Sequence, residues 1–244
     1  MNGLLQSVRE NVVTVLEFAA VIAALFAAAV ILEKLAQKKN GVKEPMLGTR
    51  KVVMVGMFAA VSAILMLFEF PVFFAPPFYE LDFSELPILI GAFAFGPLAG
   101  VMMEFVKILL KLALKGTSTA FVGDLANFAV GCSFILPASA IYAFRKSKKS
   151  AIAACVTGTL VMTVFGTAFN ALYLLPAFAK MFMPMEQILA AGVKANPLVR
   201  EGSIVSFVVA CVAPLNLLKG GVASLFTMLV YKHLSPILKG GARH

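Results

Sequence analysis

Long apolar runs alternate along the chain with short segments rich in Lys and Arg or in Pro and acids. Residues 12–32 carry Glu17 as their sole charge. A helix of that length crosses the roughly 30 Å hydrocarbon core of a bilayer. The stretch is longer than the apolar region of a signal peptide, its N-terminal flank is not strongly basic, and its basic cluster follows it, so it reads as a retained anchor. Residues 51–70 form a second span. The segment 71–87, PVFFAPPFYELDFSELP, breaks the pattern with Pro71, Pro76, Pro77 and Pro87 and reads as a loop. Residues 88–115 are interrupted by Gly96-Pro97, which predicts a short helix in and a second out. Spans at 121–144, 151–178 and 203–231 follow, with the polar stretch 180–200 outside.

Charge then sets the orientation. Lys34, Lys38, Lys39, Lys43, Arg50 and Lys51 form one basic cluster, Arg145, Lys146, Lys148 and Lys149 a second, and Lys232, Lys239 and Arg243 a third. Short basic loops stay in the cytoplasm, so the three clusters share that side and consecutive clusters are joined by an even number of crossings. Seven spans satisfy this and leave the C-terminus cytoplasmic. The expected architecture is an all-α, multi-pass protein of the cell membrane. Residues 1–49 form an extra N-terminal transmembrane helix and a mobile basic linker; residues 50–244 form a six-helix membrane domain with a basic tail.

Composition agrees with a bilayer home. The chain is 61% hydrophobic and 14% charged with a mean hydropathy of +0.94, against about 45–50% and about 25% in soluble domains. The net charge of +9 resolves into topology signals, which argues against a nucleic-acid partner. Cys132, Cys155 and Cys211 lie singly in apolar runs and read as packing residues. His233 and His244 both lie in the tail, so neither a catalytic constellation nor a metal site is predicted. There is no G-x-x-x-x-G-K-[ST] motif, so any ATP hydrolysis belongs to other subunits. The inverted repeats and paired broken helices of a secondary carrier are not found.

Polar residues at membrane depth are costly, by at least about 2.5 kcal/mol for a central charge, and they need partners or a cavity. Asn170 lies late in the sixth span. Asn216 and Lys219 share a face of the last, between Pro214 and Gly220-Gly221, which loosen the helical ladder. Together they suit a neutral ligand rich in hydrogen-bonding groups, although either Asn could instead bond across helices. Lys219 is too deep for easy snorkelling and reads as lining a cavity. Glu104, Lys107 and Lys111 share a face, as an internal ion pair or as ligand contacts. Asp124 and Asn127 open the next helix; Asp124 could pair with Lys107 or Lys111, and Asn127 is a candidate contact. The 71–87 loop, with Phe73, Phe74, Phe78, Tyr79 and Phe83, is either an interfacial belt or a lid over a flat ring. Gly56, Ala59, Ala60 and Ala63 give two small-xxx-small pairs on which another helix can pack closely.

FPVFFAPPFYELDFSELPILIGAFAFGPLAG, GTSTAFVGDLANF, FNALYLLP and APLNLLKGG resemble the riboflavin-binding S components (RibU) of energy-coupling-factor (ECF) vitamin transporters, over about residues 50–234. The resemblance implies six helices around one riboflavin, a transported substrate and not a cofactor, roofed by the loop between the first two helices. It implies polar contacts from Asn170, Asn216 and Lys219, and isoalloxazine contacts around Pro77, Phe78, Leu81 and Asp82. It further implies docking of Gly56, Ala59, Ala60 and Ala63 on a transmembrane coupling subunit that works with two ATP-binding subunits. Riboflavin has an apolar ring end, a pyrimidine edge of donors and acceptors and a ribityl chain, which matches the aromatic and polar sets above. An S component for thiamine or folate, or an ion-coupled carrier, is the competing reading. The first helix departs from the six-helix pattern and is either an extension or a second docking surface.

Overall fold

The computed structural model describes residues 2–41, 45–117 and 121–239; for residues 2–15, 17 and 231–239 the helical backbone alone is described. The chain folds as a helical bundle. Helix α1 (Asn2–Asn40) is followed by α2 (Thr49–Leu67), a loop, α3 (Glu85–Phe95), α4 (Pro97–Lys115) and α5 (Val122–Phe144). Helix α6 (Lys148–Phe169) runs through a π turn (Asn170–Leu174) into α7 (Leu175–Met181). Helices α8 (Met185–Ala195) and α9 (Ile204–Phe207) precede a second π turn (Val208–Val212) and α10 (Ala213–Lys239).

Among the described residues, five helical stretches are long and apolar enough to cross a membrane: Phe18–Asn40, Thr49–Leu67, Val122–Phe144, Lys148–Met181 and Ile204–Val230. The other two predicted spans are the hairpin α3 and α4. At 11 residues α3 is too short to cross alone, and α4 carries Glu104, Lys107, Lys111 and Lys115. The reversal between them falls at Gly96-Pro97, as the spacing predicts. Gly96 sits at φ 96° with the Glu33 carboxylate 2.9 Å from where a Cβ would stand, so both backbone angle and space require glycine there. Pro97 opens α4 at a position whose N–H has no helical partner.

Helix α1 extends well beyond the predicted 12–32. Lys, Gln and Leu are good helix formers, so the basic stretch after residue 32 continues the helix until Gly41, at φ 65°, ends it. The connection to α2 is correspondingly short, and Lys43 lies outside the described residues. Far from hanging on a linker, α1 packs on α4 and α5, where Ala29 joins Leu98, Val101, Ile108, Phe128 and Cys132. Buried Glu33 accepts from the backbone N–H of Leu98 at 2.9 Å and pairs with Lys51 in the first turn of α2. At the same end Asn40 donates to the carbonyl of Ala143 (2.8 Å) and Lys39 lies over the ring of Phe144. The first two basic clusters thus meet at one end of the bundle, as an even number of crossings requires.

At the opposite end the 71–87 segment is more ordered than a plain loop. A two-residue antiparallel ribbon pairs β1 (Phe70–Pro71) with β2 (Glu80–Leu81). Pro87 lies inside the first turn of α3, where its missing N–H costs nothing. The polar stretch after residue 180 contains α8, because Ile188, Leu189 and Gly192 recur at helical spacing and bury one face. Ala75 of the loop packs into the cluster of Leu175, Ile188, Leu189, Val199 and Phe207, which seats the loop on α7, α8 and α9.

Candidate functional site

Both π turns come just before a proline. A proline nitrogen cannot bond the carbonyl four residues back, and the chain responds with wider i to i−5 bonds, from Leu175 N–H to the Asn170 carbonyl and from Ala213 N–H to the Val208 carbonyl. At Pro214 the orphaned carbonyl is that of Ala210. It accepts from Asn196 Nδ2 at 3.0 Å, and the same amide nitrogen donates to the Phe74 carbonyl at 3.2 Å. One side chain therefore ties the loop to the unwound part of the last span. The loosening predicted around Pro214 lies one turn earlier than expected, and α10 runs regularly past Asn216 and Gly220-Gly221.

The two π turns touch and flank a cavity of about 350 Å³, within the roughly 300–1,000 Å³ of small-molecule sites. Of the predicted contacts, Phe78, Asp82, Asn127, Asn170, Asn216 and Lys219 line it. Pro77 and Leu81 do not: Pro77 is exposed in the loop, and Leu81 is buried in the ribbon opposite Phe70.

Tyr79, one of five aromatic residues in the 71–87 loop, is central to the roof. Its hydroxyl donates to Asn170 Oδ1 at 2.7 Å, while Asn170 Nδ2 donates to the Gly166 carbonyl at 2.8 Å, so both ends of that amide are engaged. Burial pushes the Tyr79 phenol well above its ordinary range and keeps it a neutral donor. Asn216 differs. Its Nδ2 is buried without a partner among the described residues, packed where a Cβ on Gly166 would come within 2.5 Å.

Lys219 reaches Asp82 at 2.9 Å and Glu85 at 3.6 Å, which closes the roof onto the last span. Burial alone would raise the Asp82 carboxyl, but the ammoniums of Lys219 and Lys107 outweigh it and hold Asp82 below the usual carboxylate range. Lys107 has turned away from the cavity, with Glu104 at 2.6 Å, Glu85 at 3.0 Å and Ser84 Oγ at 3.3 Å. Lys111 bonds Asp124 at 2.6 Å, which decides Asp124's partner and brings both to the cavity wall. The shared face of Glu104, Lys107 and Lys111 is thus divided between an internal ion cluster and the cavity.

Glu69 and Glu80 also line the cavity, and Glu69 pairs with Lys115. Position at the edge of a span gave no signal for them, because charges are ordinary there. The small residues of α2 face two ways. Ala59 and Ala63 are buried in the bundle, whereas Gly56 and Ala60 are exposed beside Val53, Met57 and Ile64.

The chain resembles known proteins in sequence and in fold. Residues 50–231 match the family described as ECF transporter, substrate-specific component. The chain is 34% identical over 190 residues to riboflavin transporter RibU of Staphylococcus aureus (strain TCH60), covering 78% of this chain and 93% of that protein. It is 30% identical over 188 residues to riboflavin transporter FmnP of Bacillus subtilis (strain 168), covering 77% and 93%. A solved structure, that of the S component of a bacterial ECF transporter, superposes with a TM-score of 0.60 at 34% identity, over 78% of this chain and 97% of that one. With its helical bundle, its apolar spans and a roofed cavity at one end, the chain belongs to the substrate-specific S components of ECF transporters, membrane transport subunits and not enzymes.

Proposed function

We propose that the cavity binds riboflavin, captured from outside beneath the 71–87 loop and delivered inward through a transmembrane coupling subunit driven by two ATP-binding subunits. The observation that carries the reading is the pairing of an aromatic roof with an unpartnered amide: Phe78 and Tyr79 line the cavity with aromatic rings, and Asn216, in the same wall, keeps a buried donor, Nδ2, without a partner among the described residues. Asn127, Asn170 and Lys219 add further hydrogen-bonding groups around the same space. That mixture suits the pyrimidine edge and ribityl chain of a flavin. The relatives named riboflavin transporters support the same substrate. Pro77 and Leu81 then shape the loop from outside the cavity.

Docking belongs to the outer face of α2. Gly56 has nothing within 4 Å of where a Cβ would stand, and Ala60 is exposed one turn on, so another helix can approach the backbone closely there. Ala59 and Ala63 support that face from inside. In this reading the basic end is cytoplasmic and carries the C-terminus.

Titration of the purified protein with riboflavin tests the substrate: saturable binding with quenched flavin fluorescence is expected. A folded preparation that ignores riboflavin and binds thiamine or folate overturns it. For docking, Ala60→Trp is expected to leave riboflavin binding intact and to abolish uptake into cells carrying the whole transporter; unimpaired uptake moves the interface elsewhere.

A further inference from the structure

In the wall of the cavity and just behind it lies a buried cluster whose charges do not balance. Asp82, Glu85 and Glu104 supply three carboxyls, at 4%, 1% and 0% exposure, and Lys107 and Lys219 supply two ammoniums. Every strong donor in the cluster is already assigned. Lys107 contacts Glu104, Glu85 and Ser84, Lys219 contacts Asp82 and Glu85, and the Ser84 N–H donates to Asp82 Oδ1 at 2.7 Å. Glu85 Oε2 and Glu104 Oε1 are left buried with no donor among the described residues. Both carboxylates lie against the same ammonium, Glu104 at 2.6 Å and Glu85 at 3.0 Å from Lys107 Nζ. On the α5 side a Cβ on Gly131 would come within 2.7 Å of the Glu104 carboxylate, so among the described residues no cation reaches the pair from there.

An unmatched negative charge in such surroundings is expensive, and a group so placed neutralises instead. We propose that Glu85 and Glu104 hold one proton between them, a buried carboxylic acid–carboxylate pair that forms a proton-binding site in the wall of the cavity. One proton supplies the missing donor for the orphaned oxygens and leaves two negative charges against two ammoniums. Lys219 then borders the cavity as a member of a neutral set, which a neutral ligand can join without burying net charge. The site does not depend on which substrate the cavity takes.

Infrared spectroscopy of the purified wild-type protein at neutral pH tests the proposal. The expected result is a carbonyl band of a protonated buried carboxyl that moves to lower frequency in D₂O. It is expected to disappear in Glu104→Gln, which removes the acid, and equally in Glu85→Gln, where the excess charge is gone and Glu104 ionises against Lys107. No such band in the wild type, or a band that survives either substitution, overturns the proposal. Isotope labelling of glutamate carboxyls in the wild type keeps the test independent of variant folding, since an unshifted band overturns it as well. A wild-type melting temperature that climbs with Na⁺ in the absence of the band assigns the charge to a cation and overturns the proton.

Discussion

Lys107 and Lys219 are both lysines at membrane depth, one on α4 and one on α10, and they share Glu85 as a partner. Their surroundings differ in what is left over. Lys107 is fully buried and its three donors are spent on Glu104, Glu85 and Ser84. Lys219 sits at the cavity wall, holds the roof through Asp82, and has the unpaired Asn216 amide one turn away. A buried charge therefore does not mark a ligand site by itself. Unfilled hydrogen-bonding capacity in a residue that lines a cavity does, and the contrast can be broken by mutation.

The largest effect is expected on the closed side. Lys107→Met removes the cation that two buried glutamates share, and breaking a buried pair in this way costs about 3–5 kcal/mol. A steep loss of melting temperature is expected, with riboflavin binding lost as a consequence of unfolding. A variant that melts like the wild type would mean that Lys107 is not the structural partner its contacts indicate.

On the open side the order of effects is reversed, with binding suffering more than folding. Lys219→Ala should weaken riboflavin binding at least about tenfold, about 1.4 kcal/mol. Asp82 loses its nearest cation in the same variant, so the roof is expected to close less firmly. Unchanged affinity in correctly inserted protein reduces Lys219 to a roof tie. Asn216→Ala is expected to act more selectively. Its Nδ2 has no partner to lose among the described residues, so melting should hardly move, while one neutral hydrogen bond to the ligand is worth about 1 kcal/mol, about fivefold in affinity. Isothermal titration beside a melting curve separates the two quantities.

These residues also show where sequence was informative. Seven apolar segments, the Gly96-Pro97 reversal and the clustering of basic residues were legible, because membrane burial imposes length and composition directly on the sequence. So was the place of Asn170, Asn216 and Lys219 on a cavity wall, since polar groups in an apolar run stand out. The extent of α1 was not legible: its basic end is as helical as its apolar middle, and Glu33 gains its meaning from Leu98 and Lys51, distant in sequence. The roles of Pro77 and Leu81 were equally hidden, because inside a loop neither a period of two nor one of 3.6 tells which way a side chain faces. Asn196, which holds the Phe74 and Ala210 carbonyls, looked like an ordinary polar residue outside the membrane.

Tyr79 lies between the two cases and carries the smallest expected effect. Its hydroxyl closes the roof on Asn170, and its ring, 6.1 Å from that of Phe207, holds without the hydroxyl. Tyr79→Phe removes one neutral hydrogen bond and frees Asn170 Oδ1, which a bound ligand can engage instead. The loss is then partly recovered in the complex, and affinity should fall by only about twofold, about 0.5 kcal/mol. The change belongs in the dissociation rate, because a roof with one tie fewer opens more often while the approach from outside is unaltered. Stopped-flow release of riboflavin measures it. A tenfold loss of affinity would show that Tyr79 itself holds the ligand, and would move it from between the two cases to the open side.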